Sequence, residues 1–517
     1  MATATMKLEA ALGTEAFDWR AFDPEVFDCM TDLSADVLGS FGVRFKYGIS
    51  GNGPLDSVAG PGQLECFLRN DAGNSGGQQG YYSPLHASKR TGWTFGVPIR
   101  LSFTFNGVTY TKFIGKARVI DPVPGVAREQ HAHVIAFDFM RDLMEADVRE
   151  VVVQESQTEA ELLQAILDAV PADSQPVSVD LDAGVDTYPY AFDDLGGGAK
   201  ALALLNDVAI SAFAFLAMRG DGTLFSLSRH SRTLSGSQFT YDDDMHGLAV
   251  PSSLDKVFNR VRVTIHPKTV DAAATTVLYA LTGAAPAIAP GETIEIWGNY
   301  RDPNDTTRKI GGTAVVDPLV ASTDYTGNSQ ADGGGSDLTA DLAVDIDPFA
   351  STAKFTIQNT GSQTVFVTSL QCRGKGIYDD GPQTLEAYTV KPYGDRVLPI
   401  DLPYQDDLGV GLSAASYIVA QYGELANQVE SLTFIANVSD AFMEQALARE
   451  PGDRITISET VTGLTSVDAI IQSVEFQVRG GVWILCTWGL APASPFNFWQ
   501  LGVAGASEVG VSTVLGF

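Results

Sequence analysis

The chain has 517 residues and a formal net charge of −30, from 33 Lys+Arg against 63 Asp+Glu. That balance excludes the basic footprint that would wrap DNA or bind an anionic membrane by bulk attraction, and it favours solubility. The length calls for about three to four domains, and a hydrophobic fraction of 45% with 51 glycines suits several turn-rich packed cores rather than disorder.

The opening MATATMKLEAALGTEAF has no basic region followed by a long apolar run, so no signal peptide is expected. Residues 1–40 place Phe17, Phe22 and Phe27 among acids. This stretch reads either as an extended N-terminal arm that docks on a neighbour or as a locally packed strand.

From Val43 the texture is β, and over 63–70 Leu64, Cys66 and Leu68 alternate with polar residues as in a half-buried strand. Residues 71–84 form a Gly-rich loop with two tyrosines, and no Gly-Lys-Ser/Thr follows to make it a phosphate cradle. Then come GVPIRLSF (96–103), YTKFIGKARVI (110–120) and HVIAFDFM (133–140), a Gly-led strand, a long bent strand and a closing hydrophobic strand. They complete a first antiparallel β-barrel over 41–150.

An α+β domain is expected over 151–254. Thr158 and Glu161 have capping-box spacing before Leu162, Leu163, Ile166 and Val170, and a second helix fits 199–211. FAFLAM and TLFSLSR then flank the turn Arg219-Gly220-Asp221-Gly222, whose glycines supply positive φ for a hairpin. The tripeptide Arg219-Gly220-Asp221 also matches an integrin-binding motif, but a turn accounts for it.

Five β-branched or aromatic runs bounded by Gly, Pro or Asn read as an inserted β-sandwich over 255–380. A connecting strand and helix over 381–427 carries Leu408, Leu412, Ala415, Ile418, Val419 and Tyr422 at helical spacing. A second barrel over 428–495 then repeats the first pattern as GDRITIS (452–458), DAIIQSVEFQV (468–478) and VWILCTWGL (482–490). The remaining 496–517 are apolar, Gly-rich and nearly uncharged, so they must be covered, and another subunit is the expected cover. The fold class is mainly β with a small α+β part: two related antiparallel β-barrels, an α+β domain between them and an inserted β-sandwich.

Chemistry is sparse. Cys29, Cys66, Cys372 and Cys486 lack paired spacing, and Cys66 and Cys486 read as small buried hydrophobes. His131 and His133 share one face of a strand, but no third metal ligand is nearby. Asp242, Asp243 and Asp244 with His246, and Asp337, Asp341, Asp345 and Asp347, offer oxygens for calcium without EF-hand spacing, and read first as solvated acidic loops. No catalytic motif appears, so neither an enzyme nor a cofactor is expected.

The runs LECFLRND, YYSPLH, GVPIRLSFTFNGVTYTKFIGKARVIDPVPG and HVIAFDFMRDLMEADV, followed by TEAELLQAIL and ALALLNDVAISAFAFLAMRGDGTLFSLSRH, resemble the tail-hub or minor tail proteins of long-tailed bacteriophages. The ending GDRITIS, IIQSVEFQV and FWQLGVAGASEVGVSTVLGF is similar to the close of the same family. The resemblance implies a baseplate-hub fold and a structural virion protein at the tail tip, made in the host cytoplasm. Three chains would form a homotrimer whose six barrels match a six-fold tail tube on one side and a three-fold fibre or spike on the other. Implied partners are a tail-tube or distal tail protein, a tape-measure protein, a tail fibre or spike, and viral DNA passing through the lumen without specific binding. The alternative is a receptor-binding tail protein whose inserted sandwich recognises host glycan, with Trp297, Tyr300 and Tyr325 as exposed stacking residues.

Overall fold

The computed structural model describes residues 1–13, 30–125, 130–149, 151–192, 199–424, 428–480 and 482–493. Among these, thirteen strands join in one sheet. They are β1 (Thr5–Ala11), β2 (Met30–Asp32), β3 (Val43–Gly48), β4 (Gln63–Arg69), β5 (Pro98–Phe105), β6 (Val108–Val123) and β7 (His131–Phe137). After a long interval follow β8 (Ser237–Asp242), β9 (Gly247–Ala249), β10 (Ser431–Ile435), β11 (Arg454–Glu459), β12 (Leu464–Arg479) and β13 (Trp483–Pro492). The helices are α1 (Phe139–Glu145), α2 (Glu159–Asp168), α3 (Ala201–Ala212), α4 (Arg229–Leu234), α5 (Leu408–Tyr422) and α6 (Asp440–Ala448).

The duplication expected from sequence is present strand for strand. The order β4-β7-β6-β5 in the first repeat matches β10-β13-β12-β11 in the second. Each long strand carries a bulge at the same place, between Ala117 and Val119 against β7 and between Ile471 and Ser473 against β13. An extra residue there bends the strand and sharpens its twist. The leading glycines are equivalent too: Gly96 donates to Ala117 O at 2.7 Å and Gly452 donates to Ile471 O at 2.8 Å. Both lie at positive φ, +81° and +97°, where a side chain would be strained.

The repeats are not separate units. β3 pairs with β4 on one edge and with β12 on the other, so the two repeats share one sheet. Among the described residues this sheet runs open from β9 to β2, and strand pairing closes neither repeat into a barrel. One continuous hydrophobic core serves both, with Phe45 of β3 stacked on Phe476 of β12 at 4.7 Å and 14°. A strand whose two edges are both occupied exposes no template for misassociation, and a stacked ring pair adds about 0.5–1.5 kcal/mol beyond burial.

The described part of the N-terminal segment belongs to the same sheet: β1 pairs with β5 through Leu8 and Leu101, and Ala2 N donates to Asn437 O at 3.1 Å. The residues Phe17, Phe22, Phe27 and Cys29 lie outside the described set, as does 496–517. The middle unit packs α1, α2 and α3 with a three-stranded sheet (Ser178–Leu181, Phe215–Met218, Thr223–Leu227). Its capping box forms as read, Thr158 N donating to Glu161 Oε2 at 2.7 Å, and Leu162, Leu163, Ile166 and Val170 are buried.

The sandwich boundary differs from the expected 255. Arg260–Ile265 pairs instead with Gln383–Tyr388 and, in parallel, with Val397–Leu402, and α5 covers that sheet. The two layers of the insert, built around Thr352–Asn359 and Val365–Asp379, share a separate core with Leu278, Phe355, Ile357 and Val367. Its entry and exit lie side by side, Asp380 N donating to Pro267 O at 3.0 Å. Replacing 268–379 by a short Gly-containing turn should therefore leave a cooperative thermal transition in the remaining chain, and 268–379 expressed alone should melt as its own unit. Loss of folding in the shortened chain, followed by circular dichroism, would refute the separation of cores.

Candidate functional site at the junction of the repeats

Lys112 lies on β6 and its side chain is fully buried. Its Nζ donates to Leu447 O at 3.1 Å, to Arg449 O at 3.1 Å and to Glu450 Oε1 at 2.6 Å, which uses all three N–H bonds. Leu447 is in α6, and Arg449 and Glu450 lie between α6 and β11, so the ammonium of the first repeat is held entirely by the second. The other oxygen of Glu450 accepts from Gly220 N at 3.3 Å, which draws in the middle unit.

This contact revises the reading of the Arg219–Gly222 turn. Only Gly222 has positive φ, +83°, as a hairpin demands. Gly220 is required by closeness: a Cβ there would stand 2.7 Å from the Lys112 Cα. Arg219 pairs with Asp180 at 2.8 Å, and its guanidinium lies 4.6 Å from the centre of the Phe225 ring, so the tripeptide is part of an internal junction.

The expected glycan-stacking residues do not converge. Trp297 is 46% exposed and stacks on Phe349 at 5.6 Å. Tyr300 is 1% exposed and belongs to the sandwich core, which corrects its assignment as an exposed ring. Tyr325 is half-buried on a strand of the other layer. Alternation along 293–299 sets Trp297 on the outward face and the even positions inward, and Tyr300 follows Ile294, Ile296 and Gly298 to the buried side.

His131 and His133 do share a face of β7. Their neighbours are aromatic, Phe67 stacking on His133 at 4.7 Å, and His133 Nε2 meets Glu65 Oε1 at 2.8 Å. Among the described residues no group of His, Cys, Asp or Glu is arranged to hold a metal ion. Asp243 accepts from Thr460 N at 2.9 Å, 217 residues on, and Asp337 accepts from Thr339 N at 2.9 Å, so a carboxylate of each acidic loop is engaged by a backbone N–H. Cys66, Cys372 and Cys486 are buried and free.

Two carboxyls that sequence could not single out are strongly perturbed. Burial pushes Asp138 up to about 7; its Oδ1 caps α1 through Met140 N at 3.1 Å, and its Oδ2 is buried without a partner. Burial, and then the charge of Asp182, pushes Glu159 at the start of α2 up to about 8. Only proximity in the fold produces such shifts.

Comparison with known proteins finds no matching family model and no matching curated protein. Among solved structures the chain is similar to a 43 kDa tail protein of prophage MuSo2 from Shewanella oneidensis, at 11% identity over 95% of this chain and 98% of that one, with a TM-score of 0.46. It is similar to a tail protein from Neisseria meningitidis at 9% identity, covering 94% and 96%, TM-score 0.46. A prophage tail protein from Listeria monocytogenes matches at 8% identity over 94% of each chain, TM-score 0.41.

Two outcomes are expected of this geometry. Glu450→Ala leaves the Lys112 ammonium buried without its carboxylate and should cost about 3–5 kcal/mol in urea unfolding, with part regained when Lys112→Met is added. Equal stability of Glu450→Ala and the parent would show that the junction is not structural. Glu159 is held neutral in the fold, so its contribution is favourable at low pH and lost as pH rises from the free carboxyl range through about 8. Glu159→Gln should therefore gain about 2 kcal/mol or more over the parent at pH 8.5 and little at pH 4, read from denaturation midpoints.

Proposed function

We propose that this chain is a structural protein of a bacteriophage tail, the trimeric hub at its distal end. The observation that carries the reading is the internal duplication: one chain presents the same four-strand unit twice, in one sheet and on one core. Three such chains offer six similar units, which suits an adapter between a six-fold tail tube and a three-fold fibre or spike. The sequence resemblance to tail-hub proteins points the same way. A tape-measure protein and a distal tail protein are the neighbours this role requires.

The acidity fits the role. Three chains at −30 each carry 3 × −30 = −90, and a lumen lined by part of that charge would let DNA slide past without binding. A second reading, host-glycan recognition by the inserted sandwich, is favoured by one observation, the exposed Trp297 backed by Phe349. A flat exposed ring on a rigid support is what sugar stacking uses. The two readings are compatible, since the insert is joined to the rest at neighbouring points.

Native mass measurement of the purified protein tests the hub role: a trimer is expected, and a monomer at all concentrations would overturn it. A glycan array probed with the sandwich alone, with Trp297→Ala as control, decides the second reading.

A further inference from the structure

The chain contains one junction between its repeats and, on its outer flanks, the two unused halves of another. At the existing junction β3, which flanks β4, lies antiparallel along the end of β12, from Val43 opposite Val478 to Gly48 opposite Ser473. Ile49 N donates to Gln472 O at 2.8 Å, so the even-numbered residues of this part of β12 turn their backbone groups toward β3. Pro451, just ahead of Gly452, is buried, with its Cγ 3.1 Å from where a Cβ on Gly48 would stand.

Each half has a bare counterpart. Counted from the bulges, Ile120, Pro122 and Pro124 take the places of Val474, Phe476 and Val478, yet among the described residues β6 has no partner on that edge beyond Lys116. Pro122, Val123 and Pro124 are exposed, whereas Phe476 and Val478 are buried. Counted through Ser431 and Glu65, Leu248, Ala249 and Val250 take the places of Val43, Arg44 and Phe45, and the second edge of β9 is unpaired. Leu248 and Val250 are only half-buried, against full burial of Val43 and Phe45. Phe95, just ahead of Gly96 and so the counterpart of Pro451, is 52% exposed.

We propose that β9 of one copy of this chain lies along residues 119–124 of β6 in the next copy, in the register that joins β3 to β12 within the chain. Ala249 then faces Val123 of the next copy, and Val250 faces Pro122. The inference rests on the hub reading and names the contact through which its copies meet. Copies that each carry −30 repel one another, but 247–253 is uncharged and 119–124 holds a single charge, Asp121. Proline carries no N–H, so Pro122 and Pro124 keep this edge from pairing with stray strands, while their carbonyls stay open to the N–H groups of Val250 and Leu248. A contact between unlike flanks is heterologous, and it passes from copy to copy until a ring closes.

Cross-linking of the full chain tests the register. Ala249→Cys with Val123→Cys sets two thiols at a pair that exchanges no hydrogen bonds, about 4.5 Å apart at Cα and within disulfide reach. Mild oxidation should give covalent dimers and trimers on a denaturing gel, and Ala249→Cys with Asp121→Cys, two residues out of register, should give about tenfold less. Equal yields from the two pairs, a cross-link confined to single chains, or no cross-linked oligomer from a protein whose native mass is a trimer would each overturn this contact and leave the hub standing. A native mass showing monomer alone would overturn both.

Discussion

The ammonium of Lys112 enters a space bounded by the first repeat, the second repeat and the tip of the Arg219–Gly222 turn, and every proton it carries ends on an oxygen of the second repeat. A charge so placed is costly unless all its partners are present together. Glu450 satisfies it with one oxygen and holds Gly220 with the other, so three units depend on one carboxylate. The contact fixes register as well as proximity, since two backbone carbonyls must face one nitrogen. Hydrophobic burial between Phe45 and Phe476 supplies attraction there, and the lysine supplies the alignment.

The two repeats diverge at their rims, where the surroundings differ. Beyond β5 lies β1, antiparallel, while beyond β11 lies β8, parallel. β3 flanks β4 as β9 flanks β10, but only β3 has a second partner, β12. The four-strand unit is thus constant and its edge strands are contributed by different parts of the chain. A chain built this way offers similar inner faces and dissimilar flanks.

The duplication was legible because it rests on local signals. Gly96 and Gly452 occupy the same strained backbone position, and strand length and alternation of apolar residues survive divergence. The capping box at Thr158 was legible for the same reason, since its partners are three residues apart. What failed was whatever needs a distant partner. Arg260–Ile265 alternates like any strand, and nothing local says that it pairs across the insert with Gln383–Tyr388 rather than within the sandwich. Lys112 looks like a surface lysine until the α6 terminus is laid over it. Tyr300 is a different case, since the alternation that exposes Trp297 already puts Tyr300 on the inward face with Ile294 and Ile296. The perturbed Asp138 and Glu159 are ordinary acids in sequence, and become distinctive only through burial.

The position of β3 has a consequence for how the protein is made. Its second edge is completed by β12, through pairs such as Phe45 with Phe476, so one side of the strand waits while more than four hundred residues are translated. Pairings that distant in sequence form late, and an uncovered edge in the interim invites association with other nascent chains. The finished sheet therefore needs the chain through β13. A product cut short before α6 would lack both the partner of β3 and the acceptors of Lys112.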